Sequence, residues 1–105
     1  YVNVVGGLKI DEPACDLGIV AAIASSFRNV CVDIDTVLIG EVGLTGEVRA
    51  VNQADKRVME AMRIGFKKCI VPRGNVEVIK NMKEVNNIDI IGVENVQEAL
   101  NIILQ

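Results

Sequence analysis

Between Pro13 and Phe27 the chain places Ala14, Cys15, Leu17, Ile19, Val20, Ala21, Ala22, Ile23 and Ala24, enough apolar residues to cover nearly every side of one helix. Asp11 followed by Pro13 is a start signal for such a helix: a side-chain oxygen to cap its amides, then a proline where no amide donor is needed. A helix that is apolar all round is not a surface helix, so this segment predicts a core helix packed between other elements. At 105 residues, half of them hydrophobic, the chain can close one such core without disulfides or metals, and residues 1–105 read as a single domain.

The remaining segments alternate between strand and helix patterns. Tyr1 to Val5 reads as a strand, and because the chain starts within it, the sequence is read as a piece of a longer one. Thr36–Gly40 and Glu47–Val51 are short and β-branched, with Gly43 to Gly46 between them, so they predict a hairpin. Asn52 with Asp55 resembles a capping box and opens a helix that Gly65 would close. On that helix Val58, Ala61 and Met62 form the apolar stripe, while Lys56, Glu60, Arg63 and Lys67 recur along the other side. Cys69–Val71 is a strand stopped by Pro72, Asn75 to Met82 a helix, Asp89–Val93 a strand, and Asn95–Leu104 the closing helix. The class is α/β, and the last two strands, joined through a helix, should be parallel with a right-handed crossover.

Several chemistries are excluded by what the chain lacks. The cysteines at 15, 31 and 69 include no Cys-x-x-Cys pair and there is no histidine, so the usual zinc patterns are absent. Each cysteine has apolar neighbours, which predicts buried, reduced thiols. Asp11, Glu12 and Asp16 form an acidic cluster, but carboxylates in a helix's first turn are favoured by its dipole, so no metal is assigned to them. No Gly-x-x-x-x-Gly-Lys-Ser/Thr loop is present to hold ATP phosphates. The three aromatic residues, Tyr1, Phe27 and Phe66, offer no platform for stacking bases. The longest apolar run, Leu17 to Ala24, is too short to cross a membrane.

Net charge is −3, but it is unevenly distributed: residues 1–48 carry −5, residues 49–73 carry +5 and residues 74–105 carry −3. The basic middle holds Arg49, Lys56, Arg57, Arg63, Lys67, Lys68 and Arg73, the candidate DNA-contacting residues. A solvated helix face laced with Glu60 is the competing reading of the same residues.

Four stretches carry a family resemblance: Val4-Val5-Gly6-Gly7-Leu8-Lys9-Ile10-Asp11-Glu12-Pro13-Ala14, Gly40-Glu41-Val42-Gly43-Leu44-Thr45-Gly46-Glu47-Val48-Arg49, Gly65-Phe66-Lys67-Lys68 and Ile70-Val71-Pro72. Together they resemble the Lon protease family, and within it the Lon-like C-terminal domain of RadA-type DNA repair proteins, over essentially the whole chain. In Lon peptidases the first motif reads roughly Lys-Asp-Gly-Pro-Ser-Ala-Gly, with the serine nucleophile directly after the proline. Here that position is Ala14, and a methyl group cannot attack a carbonyl. The second motif reads Gly-Glu-x-x-Leu-x-Gly, and the general-base lysine follows eleven residues after its last glycine. Counting from Gly46 reaches Arg57, which keeps its proton at physiological pH and so cannot act as that base.

The resemblance therefore implies a ribosomal protein S5 domain 2-like α/β fold, lacking its N-terminal strands, with Ala14 and Arg57 as vestigial dyad positions and no catalytic residue or metal. It further implies a parent ATPase whose ATP and magnesium sit in a core absent from this chain, leaving this domain without a cofactor. The implied partners are single-stranded or branched DNA, further copies in a hexameric ring and a RecA-type recombinase, in the bacterial cytoplasm and away from membranes. The implied role is ring assembly and DNA binding during recombination and branch migration. Two alternatives stay open. One is a peptidase with an altered dyad, Cys15 and Lys56, each one residue from a lost position. Neighbouring helix positions point about a hundred degrees apart, and Asp11, Glu12 and Asp16 surround Cys15 where a thiolate needs a cation, so both points count against it. The other is a purely structural oligomerisation module.

Overall fold

The computed structural model describes residues 13–28 and 35–104. A 3-10 turn at Pro13–Cys15 leads into α1 (Asp16–Arg28). There follow β1 (Thr36–Leu38), β2 (Glu41–Val42), β3 (Val48–Arg49), α2 (Ala54–Ile64), β4 (Lys68–Pro72), a 3-10 turn at Arg73–Asn75, α3 (Val76–Lys80), β5 (Asp89–Val93) and α4 (Val96–Ile103). The expected strand at 1–5, the Asp11 cap and Cys31 lie outside the described residues.

Strands β1, β4 and β5 form one parallel sheet in the order β1-β4-β5, with Val37 beside Cys69 and Cys69 beside Ile90. The β4–β5 pair is parallel, as the sequence predicts. Alternation sends successive side chains to opposite faces. Val37, Ile39, Cys69 and Val71 pack with Ala54, Val58 and Ala61 of α2 and Ile79 of α3. Leu38, Ile70 and Val93 pack with Leu17 and Ala21 of α1 and Ala99, Leu100 and Ile103 of α4. Helices thus cover both faces, which is why Cys69 to Val71 read as an unbroken apolar run. Helix α1 meets the expectation of burial on its sheet side, through Leu17 and Ala21, but Ile23 is 56% exposed.

The hairpin differs from the one predicted. Thr36–Leu38 belongs to the parallel sheet, and it is Glu41–Val42 that pairs antiparallel with Val48–Arg49. Thr36 to Ile39 is buried on both faces, as an interior strand requires, so the hairpin can begin only after Gly40. Gly40 is where three segments meet. Its amide donates to the Ala14 carbonyl at 2.9 Å and its carbonyl accepts from the Leu17 amide at 3.0 Å. A Cβ at position 40 would lie 2.8 Å from Val48 Cγ1 and 3.5 Å from Leu17 Cβ, so a bare backbone permits the approach.

Helix starts also depart from prediction. Gln53, in a left-handed conformation with φ 55°, precedes α2 without a side-chain cap, so the capping box at Asn52 and Asp55 does not form. The C-terminus behaves as expected: Gly65 takes φ 113°, and Phe66 N donates to Ala61 O at 3.0 Å. Asn75 does not cap α3. Its Oδ1 accepts from Val51 N at 2.9 Å and its Nδ2 donates to Val51 O at 3.2 Å, tying the β3–α2 connection to the turn after β4. Helix α3 is also shorter than predicted, ending at Lys80 rather than Met82. At α4, Asn95 Oδ1 accepts from Glu98 N at 2.9 Å, an N-cap that fixes the start the sequence marks.

Candidate functional site

The turn at Pro13–Cys15, the first residue of β2 and the β3–α2 connection converge on a cleft of about 250 Å³, lined by Pro13, Ala14, Glu41, Ala50, Val51, Asn52 and Arg57. Ala14 is held there by its carbonyl's bond to Gly40, and Arg57 by the 2.9 Å bond from its Nε to the Asn52 carbonyl. Positions 14 and 57, forty-three residues apart in sequence, therefore share one cleft. Among the described residues that line it there is no hydroxyl, thiol, amine or imidazole; its ionisable groups are Glu41 and Arg57. Such a set can hold a charge or a hydrogen bond, but among the described residues it supplies neither a hydroxyl or thiol nucleophile nor an amine to serve as its base.

Cys15 and Lys56 are not brought together. Cys15 is buried and forms no disulfide, and it is not among the residues lining the cleft. Lys56 lines a separate recess with Met59 and Arg63. Because positions 14 and 15 lie in a 3-10 turn rather than an α-helix, their side chains diverge by about 120°. Cys69 sits at the centre of the sheet, where burial pushes its thiol up to about 12. Of the acidic cluster, Asp16 is engaged structurally, its Oδ2 accepting from the Val42 amide at 3.1 Å. Asp11 and Glu12 lie outside the described residues.

The seven candidate cations divide. Arg49 pairs with Glu47 at 2.9 Å and approaches Glu41 at 3.9 Å, and Arg63 pairs with Glu60. That pairing lowers the Glu60 carboxyl and raises the Arg63 guanidinium from their ordinary values. Lys56, Lys67, Lys68 and Arg73 have no ion pair among the described residues. Nor do the seven line one helix face. Helix α2 stops at Ile64 and Gly65 turns the chain, so Lys67 leaves the row that spacing alone predicts. Arg63, Lys67 and Lys68 gather where α2 hands over to β4. Lys56, Arg57 and Arg73 lie toward the other end, where Val51 is bonded to Asn75, separated by about 15 Å of strand.

A feature that sequence reasoning missed lies in the hairpin. The Glu47 carboxylate accepts from the Thr45 hydroxyl at 2.6 Å, the Thr45 amide at 3.1 Å, and Arg49 Nη2 and Nε at 2.9 and 3.2 Å. The Thr45 hydroxyl, the residue's own backbone amide and Arg49 together hold the Glu47 carboxyl down at about 2. The signal was present as Thr45-x-Glu47-x-Arg49, three polar side chains at the two-residue spacing of a strand face.

Residues 4–105 match the Lon protease (S16) C-terminal proteolytic domain. The DNA repair protein RadA of Halalkalibacterium halodurans is 51% identical over 104 residues, covering 99% of this chain and 22% of that protein. RadA of Bacillus subtilis is 50% identical over 95% of the chain and 21% of the relative, and RadA of Aquifex aeolicus is 42% identical over 98% and 22%. The chain thus spans about a fifth of the length of these curated relatives. Among the described residues no helix is long and apolar enough to cross a membrane.

Proposed function

The chain belongs to the family of Lon protease (S16) C-terminal proteolytic domains, and on that premise we propose that it is a non-proteolytic member serving ring assembly and DNA binding in a bacterial DNA repair ATPase. Its likeness to RadA proteins over nearly its whole length supports the DNA repair setting. The observation that carries the non-proteolytic reading is the cleft that Ala14 and Arg57 share, whose described lining holds no hydroxyl, thiol or amine. Under this reading the fold is of the ribosomal protein S5 domain 2-like type. ATP and magnesium act in another part of the protein, which works in the cytoplasm on single-stranded or branched DNA in branch migration, alongside a RecA-type recombinase.

Contact with DNA is made through phosphates. Lys and Arg neutralise them without reading sequence, and binding releases counterions, so affinity falls with salt. Lys56, Lys67, Lys68 and Arg73 make these contacts first, because Arg49 and Arg63 would have to give up their carboxylate partners. Two small cationic groups on one domain bind weakly. Six copies around one strand bind together through effective concentration. The pairing of Arg49 and Arg63 favours the second reading, a structural module without DNA contact.

The non-proteolytic claim is tested by incubating the domain with casein and a fluorogenic peptide. No turnover above a buffer control is expected. Turnover that disappears in Cys15→Ala or Lys56→Ala would overturn it in favour of an altered dyad.

A further inference from the structure

Strand β5 has apolar side chains on both faces, Ile90 on one and Ile91 and Val93 on the other, the pattern of a strand covered on both sides. The cover is incomplete. Where β4 is buried from Cys69 to Pro72, Ile90 to Gly92 of β5 are only half-buried, and β5 is the last strand of its sheet. Asp89 N donates to Lys67 O at 2.9 Å on the β4 side, and Glu94 O accepts from Val48 N at 2.9 Å on the opposite side. Backbone groups alternate along a strand, so Ile90 and Gly92 between them direct their amides and carbonyls away from β4. The hairpin reaches this side only at Glu94 and Asn95, and among the described residues no strand pairs with Ile90 or Gly92. The register with β4 runs unbroken from Asp89 to Val93 and the strand holds no proline, so neither of those devices blunts the edge.

An open recess of about 560 Å³ lies beside the same edge. Val85, Ile88, Ile90 and Ile91 give it an apolar lining, and Lys68 and Lys80 stand there against one carboxylate, Asp89. Neither lysine has an ion pair among the described residues. Farther along the strand Arg73 lies over the backbone, its Nε 3.3 Å from where a Cβ on Gly92 would stand. The edge is therefore apolar in its lining and net positive around it.

We propose that β5 takes up an extended, acidic segment of a partner protein as an added strand. Its main chain pairs with Ile90 and Gly92, an apolar side chain enters the recess, and its carboxylates meet Lys80 and Lys68. In a contact of this kind main-chain bonds give affinity and the side-chain surroundings give selectivity. A second copy of this edge would bring the same positive lining to the first, so charge favours a different, acidic chain. Lys68 and Arg73 are also among the proposed phosphate contacts, whereas Lys80 belongs to this site alone.

The test titrates the protein that carries this domain with a fluorescent hexapeptide of alternating valine and glutamate, and with its valine–lysine counterpart. Anisotropy should rise with the glutamate peptide only, and hydrogen exchange at the Ile90 and Gly92 amides should slow. Lys80→Glu should weaken binding roughly fivefold with the Tm unchanged. The proposal is wrong if the two peptides bind alike, if neither binds at millimolar concentration, or if the slowed amides lie on another element. It is also overturned if the Ile90 and Gly92 amides are protected without peptide and lose that protection on dilution, because a second copy then fills the edge. Each of these outcomes can be read whether or not the domain binds DNA.

Discussion

Replacing Gly40 by alanine tests the convergence that builds the cleft. The added methyl would lie 2.8 Å from Val48 Cγ1, against an ordinary carbon–carbon separation of about 3.5–4.0 Å, so β3 or the β1–β2 link must give by roughly 1 Å. Val48 is itself buried in the cluster with Leu17, Leu38 and Val93, so it has little room to move. Overpacking of this kind costs about 1–3 kcal/mol. The loss of unfolded-chain entropy returns about 0.4–1 kcal/mol, because Gly40 is not among the residues with positive φ. From the middle of the two ranges the expected net loss is about 1.3 kcal/mol, read as a lower urea midpoint with an unchanged slope, and as a fall in Tm of about 5–10 °C. The displacement also strains the two bonds at Gly40, so the Leu17 amide should exchange faster with solvent. Gly74→Ala is the matched control, since a Cβ there meets only Ala50 Cβ at 3.4 Å, and it should change stability by less than about 0.5 kcal/mol. If Gly40→Ala were as stable as the control, the close approach to Val48 would not be what requires glycine at position 40.

Glu47 provides a pH prediction. Its folded carboxyl titrates at about 2 against an ordinary 4.5, so its stabilising contribution is complete above about pH 4.5 and is lost as pH falls from there through about 2. A carbon-13 titration should place its midpoint near 2 in the unsubstituted protein and nearer 4.5 in Thr45→Val; an unsubstituted midpoint near 4.5 would refute the bracing of the turn. Asn75→Ala removes both bonds to Val51 and leaves partly buried backbone groups unsatisfied, which should cost about 1–3 kcal/mol by urea unfolding. A loss under about 0.5 kcal/mol would mean that water replaces the clamp at little cost.

What the sequence revealed and what it hid follow from the range of the forces involved. Strand Asp89–Val93 and the cap at Asn95 were legible because local pattern decides them, and Gly65 was legible because a helix that must reverse needs a residue tolerant of positive φ. Glu41–Val42 was not legible as a strand: two residues carry no periodicity, and their pairing depends on where Gly40 bends the chain. Asn75 reads as a helix cap by local preference, yet its amide serves Val51, twenty-four residues away, a choice that only tertiary packing makes. The row from Lys56 to Lys67 failed for the opposite reason, since a helical period was carried past the glycine that ends the helix. Positions 14 and 57 were reached by counting along family motifs. No local chemistry in alanine or arginine would have paired them across a cleft.

The measurement that bears most directly on the proposed role is the fluorescence anisotropy of a labelled single-stranded oligonucleotide, titrated with the intact oligomer across a salt series. The account predicts binding without sequence preference, with log K falling linearly in log salt at a slope of about −0.7 per phosphate neutralised. Replacing Lys56, Lys67, Lys68 and Arg73 together by uncharged residues should flatten that slope by about 0.7 for each phosphate left without its cation. Binding whose slope is unchanged in the substituted protein, or no contribution from this domain even at low salt, would contradict phosphate binding by these residues and leave assembly as the domain's role.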